Sequence, residues 1–428
     1  MDKNKKQKAA TKKDIVSSPR GMSDILSSDM RLWEKMLKIA RDIIDFYNFM
    51  PVETTILENV DLFARTRTEE EMDTEMFIVR SRADGKLVLR PELRSPIMRS
   101  YIEHSLSRLP QPQRLSYFGP VFRQRVGQND NRLEYHELGF EVIGGSNDPI
   151  YDTQVINTAY KFLEELRIKN LMIGINSMGC SVCRPNYRKK ILAHYKDAET
   201  CRDCKRYLPS NNPVRVLECI NENCIKTKSK VSSILDSLCS NCNNHFKHVL
   251  EFLEEISLPY AINPNLVGTV DYHNKTVFNI TVEGMPVPLV SGGRYDYLAE
   301  LLGGHATPAV GAAVRFDAIF KIVKEGKLLN VKSKEKVFLV YIGDLAKRKS
   351  LSLIEEFRKH NVPVIESLGK DSLATQLEIA ARLNAPIALI FGQKEAYEET
   401  VILRDMPTGV QELIPLKKIV EEVKRRLK

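Results

Sequence analysis

Long apolar runs are absent from this 428-residue chain. No stretch reaches the roughly 18 consecutive apolar residues that indicate a membrane-spanning helix. The first thirteen residues carry six lysines, and no apolar segment follows them, so they do not resemble a secretory signal. We therefore expect a protein without a membrane partner, located in the cytoplasm.

Acidic residues are too few to balance the basic ones, since 55 aspartates and glutamates face 64 lysines and arginines. The formal charge of +9 permits a polyanionic partner without requiring one. Part of the excess lies in residues 1–17, which we expect to form a disordered basic tail that is either solvated or in contact with nucleic acid. The chain is long enough for two or three domains with hydrophobic cores.

The most informative stretch covers residues 117–144, YFGPVFRQRVGQNDNRLEYHELGFEVIG. A β-prone apolar arm ends at Arg123, and a second arm carries Glu137 and Glu141 among apolar residues. The polar residues between the arms, including Gln128, are typical of a turn. This pattern predicts a hairpin that brings a cation and carboxylates to one face of a sheet. A sheet surface without any site would also alternate charges.

This hairpin resembles motif 2 of the class II aminoacyl-tRNA synthetases, in its histidyl-tRNA synthetase version. The resemblance covers nearly the whole chain after residue 17. It implies activation of histidine with ATP and Mg²⁺, followed by transfer of histidine to its tRNA. Arg123 matches the arginine that grips the α-phosphate of ATP, and we expect it to be the catalytic residue. Residues 47–58, YNFMPVETTILE, resemble the dimer-forming motif 1, which implies a homodimer.

A second signature resembles the histidine pocket of the same family. Residues 291–296 read SGGRYD, and glycines at such positions let a backbone approach a ligand closely. The resemblance implies that Tyr295 lines the histidine pocket. The substrate-binding residues implied by all these matches are Glu92, Gln128, Glu137, Glu141, Tyr272, Gly292, Gly293 and Tyr295.

Several signature positions of the family carry other residues here. The arginine that helps to activate the histidine carboxylate falls on Gly268, and a tyrosine of the same signature falls on His273. The arginine that grips the γ-phosphate falls on Ala318, and Arg315 stands where the family has a glycine beside the adenine site. Losing one preorganised transition-state donor typically costs about 2.7–4 kcal/mol, so we expect impaired adenylation.

Residues 87–91 predict a short strand that leads to Glu92, whose family counterpart holds the amino group of histidine. Arg94 stands where the family has a threonine. Because a buried carboxylate needs a charged or hydrogen-bonded partner, Arg94 could pair with Glu92 and draw it away from substrate. Arg94, Arg125 and Arg315 are the nearest candidates in sequence to replace the missing arginines.

All eight cysteines lie in residues 170–244, which we interpret as an insertion into the catalytic core. They form four close pairs, Cys180 with Cys183, Cys201 with Cys204, Cys219 with Cys224, and Cys239 with Cys242. A cytosolic chain keeps thiols reduced, and a Cys-x-x-Cys spacing places two thiolates within reach of one ion. This pattern favours structural zinc. Two four-cysteine sites, one site with spare thiols, and incidental pairs of buried cysteines are all compatible with it.

Beyond a charged linker at residues 321–335, strand and helix patterns alternate through residues 336–428. The alternation predicts a small α/β domain with a mainly parallel sheet. Residues 380–395, AARLNAPIALIFGQKE, resemble the anticodon-binding domain of histidyl-tRNA synthetases, which implies a tRNA partner.

The expected fold is an α+β class II synthetase core over residues 18–320, an antiparallel sheet with flanking helices, with the anticodon-binding-like domain after it. The expected function is histidine–tRNA ligation. The alternative is a catalytically degenerate paralogue that keeps the fold and acts as a tRNA-binding or regulatory protein.

Overall fold

The computed structural model describes residues 16–82, 85–124, 132–209, 213–268, 272–285, 287–330, 336–366 and 372–427. The chain divides into two compact units, residues 1–330 and residues 331–428. Within the described ranges, no helix combines the length and the apolar character that a membrane span needs.

The first unit is an antiparallel-rich sheet with flanking helices. Its strands are β1 (Met50–Pro51), β2 (Leu57–Asn59), β3 (Ile78–Ser81), β4 (Gly85–Leu89), β5 (Gln113–Phe122), β6 (Glu134–Ile143), β7 (Leu171–Ser177), β8 (Tyr260–Ile262), β9 (Asn274–Val282), β10 (Val290–Arg294) and β11 (Ala309–Arg315). Its α-helices are α1 (Ser27–Phe46), α2 (Val60–Ala64), α3 (Glu69–Glu75), α4 (Arg94–Glu103), α5 (Ile150–Glu165), α6 (Cys183–Tyr195), α7 (Arg202–Tyr207), α8 (Glu222–Lys228), α9 (Ser240–Glu255), α10 (Leu298–Leu301) and α11 (Phe316–Glu325).

The central sheet has eight strands in the order β1-β5-β6-β11-β10-β9-β7-β8. Neighbouring strands are antiparallel, except that β1 runs parallel to β5 and β7 parallel to β8. Strands β5 and β6 form the predicted hairpin, with Tyr117 opposite Gly139. Residues 125–131 of the hairpin loop lie outside the described residues, and so do the predicted site residue Gln128 and the candidate cation Arg125.

Alternation along β6 gives its two faces different surroundings. Leu138, Phe140 and Val142 pack into a core with side chains of α1, α5, α9 and α11. Successive side chains of a strand point to opposite faces, so Glu137 and Glu141 belong to the other face. These four helices therefore cover one side of the sheet. The other side carries the polar groups of the site, with apolar side chains of α4 and α10 packed beside them.

The sequence of residues 52–57 predicts a strand after Pro51, and this prediction is wrong in most of its length. Only Met50–Pro51 pairs with β5, and Leu57–Asn59 joins a separate three-stranded sheet in the order β2-β4-β3. Between these strands, the buried guanidinium of Arg90 donates to the carbonyl oxygen of Thr54 at 2.7 Å. A backbone group satisfied by a buried side chain does not need a ladder partner.

The second unit is a five-stranded sheet in the order β13-β12-β14-β15-β16 with helices around it. Its elements are β12 (Val337–Tyr341), α12 (Asp344–Lys359), β13 (Val364–Glu366), α13 (Leu373–Arg382), β14 (Ile387–Phe391), α14 (Gln393–Glu398), β15 (Thr400–Asp405), β16 (Gln411–Pro415) and α15 (Leu416–Arg426). Two strand pairings are parallel and two are antiparallel, so the prediction of a mainly parallel sheet is wrong. The tight turn at Gly409, with φ of +75°, explains the antiparallel pairing of β15 and β16, since so short a connection joins only antiparallel strands.

Candidate active site and metal centre

The hairpin places Arg123 beside Glu137, as its sequence predicts. Arg123 Nε donates to the carbonyl oxygen of Pro91 at 2.7 Å, and Nη2 lies 3.6 Å from Glu137 Oε1. The guanidinium also lies over the Tyr135 ring, 5.4 Å from its centroid. These contacts fix the orientation of a cation whose side chain is still 30% exposed. Arg123 is therefore both preorganised and accessible to an anion.

Glu137 is buried among charges of both signs. Burial raises the pKa of Glu137, and the carboxylate of Glu92 raises it further, while Arg123, Arg94 and Arg315 oppose the rise. Arg315 ends β11 directly opposite Glu137 in the sheet register. The substitution that the sequence places beside the adenine site thus adds positive charge next to Glu137.

Glu141 lies fully buried, four residues further along the same face of β6. The hydroxyl of Tyr295 donates to Glu141 Oε2, and the hydroxyl of Tyr117 donates to Oε1 at 3.3 Å. Burial raises the pKa of Glu141 to about 7, even though Arg94 and these hydroxyls favour the ionised form. A Cβ on Gly311 would lie 1.4 Å from Glu141 Oε2, so glycine on the neighbouring strand leaves the room for this carboxyl group.

Glu92 is held by the first turn of α4 and not by an ion pair with Arg94. Its carboxylate accepts the backbone N–H of Arg94 at 2.6 Å and that of Ser95 at 3.1 Å, two donors that a helix start leaves free. The Arg94 guanidinium instead reaches Glu141 Oε1 at 3.6 Å and His273 Nε2 at 3.2 Å. The predicted Glu92–Arg94 pairing is therefore wrong, because the helix backbone already satisfies Glu92.

Five side chains enclose the Arg94 guanidinium, and we call them the tyrosine chamber. They are Tyr117, Glu141, Tyr272, His273 and Tyr295. The Arg94 guanidinium lies 5.2 Å from the centroid of the Tyr295 ring. The Tyr272 ring lies 6.3 Å from that of Tyr295 and 5.7 Å from the imidazole of His273. Burial and the charges of Arg94 and Arg184 lower the pKa of His273 well below its usual range, so its imidazole is neutral.

Gly292 and Gly293 lie in the interior of β10, between β9 and β11. A Cβ on Gly292 would lie 2.3 Å from Phe278 Cζ, and one on Gly293 would lie 2.8 Å from the carbonyl oxygen of Thr276. Strand packing therefore requires glycine at both positions. Contact with a ligand stays a prediction for these two residues.

Sequence reasoning missed Tyr117 and Arg67. The sequence signal for Tyr117 is Gly139, its partner on the neighbouring strand. The Tyr117 ring lies over the Cα of Gly139, where a Cβ would lie 2.0 Å from Tyr117 Cζ. Arg67 lies 3.5 Å from Glu75, and its charge acts on Tyr272 and Tyr135. No local pattern in the sequence marks Arg67, since it approaches the chamber from the separate segment between α2 and α3.

The cysteine insertion forms two compact clusters of thiols. The first cluster joins Cys180, Cys183, Cys239 and Cys242, and the second joins Cys201, Cys204, Cys219 and Cys224, with the sulfur atoms of each cluster within 4.8 Å of one another. All eight thiols are free of disulfides. Sulfur separations of 3.7 Å between Cys180 and Cys183 and 3.6 Å between Cys201 and Cys219 match the edge of about 3.8 Å expected for a tetrahedron with Zn–S bonds near 2.3 Å. Both clusters can therefore hold a tetrahedral, thiophilic ion.

Backbone groups support the clusters from outside. The N–H of Cys239 donates to the sulfur of Cys183 at 3.1 Å, and the N–H of Cys201 donates to the sulfur of Cys224 at 3.2 Å. The turn before the first cluster contains Gly179 with φ of +60°. Such N–H donors stabilise thiolates, the form that binds metal. The clusters are nested in the sequence: the first and fourth cysteine pairs form one cluster, and the second and third pairs between them form the other.

Comparison with known proteins agrees with this architecture. A family model described as histidyl-tRNA synthetase matches residues 21–319, and one described as an anticodon binding domain matches residues 336–426. The chain is 36% identical over 413 residues to a histidine–tRNA ligase of Thermodesulfovibrio yellowstonii, covering 95% of this chain and 98% of that protein. It is 34% identical over 420 residues to a histidine–tRNA ligase of Dehalococcoides mccartyi, covering 96% and 100%.

Among solved structures, the apo histidyl-tRNA synthetase of S. aureus superposes with a TM-score of 0.79 at 28% identity, covering 95% of this chain and 99% of that one. The matched ranges include the hairpin, the tyrosine chamber, the cysteine insertion and the second unit. The fold is thus that of a class II synthetase core with a C-terminal anticodon-binding domain, and the chain belongs to the histidyl-tRNA synthetase family.

Proposed function

We propose that this protein activates histidine with ATP and transfers it to tRNA. One observation carries the proposal: the polar residues on one face of β6 form a row with two different ends. At one end the accessible Arg123 contacts Glu137, and at the other end lies the enclosed Glu141. One end of this row suits a phosphate and the other suits a small polar side chain. Membership of the family supports histidine as the amino acid.

The proposed roles follow from the contacts of each residue. Arg123 would stabilise the charge that develops on the α-phosphate, and its bond to Pro91 would spare it reorganisation during the reaction. Glu92 would bind the amino group, and Glu137, Glu141, Tyr272 and Tyr295 would line the amino-acid pocket, with Gly292 and Gly293 behind it. Gln128 would act from the hairpin loop. Mg²⁺ would accompany ATP and neutralise its phosphates.

Histidine-dependent exchange of pyrophosphate into ATP tests this function. The intact chain should exchange with histidine and not with other amino acids, and Arg123→Ala should reduce the rate by at least about 10²-fold, as removal of one preorganised donor does. Arg99→Ala serves as the control, because Arg99 lies on α4 and pairs with Glu58 and Glu103 instead. Exchange that survives Arg123→Ala unchanged would refute the role of Arg123.

A degenerate, tRNA-binding paralogue is the second candidate, and the substitutions at Gly268 and Ala318 favour it. Both functions need tRNA, which we propose that residues 336–428 bind through an anticodon-binding domain. Phosphate contacts make such binding weaken steeply with salt. Binding of tRNA(His) without any exchange would favour the degenerate paralogue, whereas exchange with histidine would exclude it.

We further propose that the protein is a homodimer. The motif 1-like segment provides β1, which forms one edge of the central sheet. Exposed apolar side chains surround this edge, namely Phe46, Met50, Ile56 and Leu57. Unpaired edges and apolar patches of this kind are typical of interaction surfaces, and twofold dimers are the commonest closed assemblies. A mass of 48.9 kDa by light scattering at micromolar concentration would contradict the dimer.

We also propose that each cysteine cluster holds one structural Zn²⁺ in its four thiolates. Support comes from the separations of the sulfur atoms and from the N–H donors around them. The ions would fix the insertion, since a small segment gains folding free energy directly from metal binding.

A further inference from the structure

The guanidinium of Arg94 occupies the amino-acid end of the site. Its side chain is 7% exposed, and it reaches from the start of α4 into the tyrosine chamber. There it lies 3.6 Å from Glu141, 3.2 Å from the imidazole of His273 and over the ring of Tyr295. A carboxylate combined with tyrosine hydroxyls and an aromatic face is a typical binding site for a planar cation.

Arg294, a second buried arginine of this unit, has the complete set of hydrogen bonds expected of a structural arginine. Arg294 donates through Nε to Asp152 at 3.1 Å, through Nη1 to Asn147 at 2.9 Å, and through Nη2 to the carbonyl oxygen of Asp148 at 3.0 Å. All three of its nitrogen atoms have partners. Buried charges are normally satisfied to this degree.

Arg94 is bound much less completely. Among the described residues, its buried Nε has no hydrogen-bond partner, and neither does His273 Nδ1. Its approach to Glu141 is longer than a charge-assisted hydrogen bond of about 2.7–2.9 Å. The chamber thus encloses the guanidinium without satisfying all of its hydrogen-bond donors.

We propose that Arg94 is a tethered competitor for the amino-acid pocket. The pocket is closed while the guanidinium lies against Glu141, and it accepts a free planar ligand, imidazole or the side chain of histidine, when the guanidinium swings out. The identification of histidine rests on the proposed function, whereas the competition itself rests only on the contacts of Arg94.

Arg94 does not serve the phosphates from this position. Glu137 marks the Arg123 end of the row and Glu141 the chamber end, and four residues of strand separate their Cα atoms by about 13 Å. Arg94 contacts the chamber end. In this position it therefore does not stand in for the phosphate-binding arginine missing at position 318.

Competition of this kind raises the apparent Kd of a free ligand, which equals its intrinsic Kd divided by the fraction of time that the pocket is open. The hydrogen bond between the Arg94 guanidinium and His273 involves a charged group, and a bond of this class contributes enough to close a pocket for roughly nine-tenths of the time or more. Arg94→Ala should therefore tighten imidazole and histidine binding by at least about tenfold. Arg94→Lys should give an intermediate gain, because an ammonium lacks the planar fork of arginine.

Isothermal titration of the full-length protein with imidazole, and separately with histidine, tests the proposal. Arg99→Ala, at a partly exposed position of the same helix where the side chain pairs with Glu58 and Glu103, should leave both affinities unchanged. Melting curves report whether Arg94→Ala still folds, and Arg94→Lys keeps the test available if it does not. Equal affinities in the wild type and a folded Arg94 variant would overturn the proposal, as would a loss of affinity.

The same variants separate this proposal from the proposed function. A gain in imidazole affinity without any pyrophosphate exchange would support the competitor and refute histidine activation. Exchange with histidine, combined with unchanged affinity in the Arg94 variants, would support activation and refute the competitor.

Discussion

The imidazole of His273 lies in the space where a side chain at position 268 would begin. A Cβ on Gly268 would stand 2.6 Å from the Cβ of His273 and 2.7 Å from its Nδ1, closer than real Cβ contacts come. The two substitutions in this signature are therefore linked. The family resemblance predicts that Gly268→Arg with Arg315→Gly and Ala318→Arg partly restores adenylation if the backbone follows the family path. Because an arginine at position 268 requires His273 to move, this backbone has no room for that restoration.

Gly268→Ala should destabilise the protein by about 1–3 kcal/mol, the usual cost of overpacking a filled interior. The Cβ meets the near end of the His273 side chain, which cannot rotate away as a flexible tip would. Urea unfolding measures the loss. Gly268→Ala should cost less stability in a His273→Gly background than in the wild type, because the clashing side chain is then absent. Equal stability of Gly268→Ala and the wild type would show that His273 gives way to the added methyl group.

The buried pair of Asp152 and Arg294 should dominate the acid stability of the first unit. Burial alone would raise the pKa of Asp152, but Arg294 and His245 hold it well below its usual range. Stability from Asp152 is therefore present above its unfolded pKa of about 3.9 and is lost as pH falls towards the lower folded pKa.

Asp152→Asn should cost about 3–5 kcal/mol at neutral pH, because it removes the nearer of the two carboxylates that balance the buried Arg294 guanidinium. Thermal melts and urea unfolding report the effect. The matched control is Asp42→Asn on α1, where the exposed pair with Lys38 should contribute less than about 1 kcal/mol. Similar losses in both variants would contradict a special role for the Asp152–Arg294 pair.

Much of the site was predictable, because it depends on local spacing. The alternation of residues 117–144 is enough to place Arg123 and Glu137 together, since a hairpin fixes its own register. The direction of Arg94 was not predictable. The adjacency of Arg94 to Glu92 suggests an ion pair between them. Instead, two N–H groups at the start of α4 donate to Glu92, and the Arg94 side chain contacts Glu141 on β6.

The grouping of the cysteines shows the same limit. Spacing identifies the four pairs but not which pairs share a cluster, because that depends on how α6 and α9 return to one another. In the second unit, β16 was missed since its exposed, alternating residues resemble loop sequence. Contacts between distant segments decide these features.

Glu141 should make stability fall as pH rises. Its folded pKa of about 7 lies above the ordinary value of 4.5, since burial disfavours the charged form most strongly. The protonated form therefore stabilises the fold fully below about pH 4.5, and this contribution is lost as pH rises through 7. Urea unfolding at pH 5 and pH 8 should show a smaller difference for Glu141→Gln than for the wild type. An identical difference in both would mean that Glu141 stays ionised over this range.

The two cysteine clusters should hold two zinc ions per chain, one in each cluster. Metal analysis after purification without chelators measures the total, and zero metal would count against both sites. Cys183→Ser with Cys242→Ser should remove one ion, and Cys204→Ser with Cys224→Ser should remove the other, because each pair belongs to a single cluster. The decisive control mixes the clusters. Cys183→Ser with Cys204→Ser damages both sites and should lose both ions, although it also removes only two thiols. If this mixed variant kept one ion while either of the paired variants lost two, the nested grouping of the thiols would be wrong.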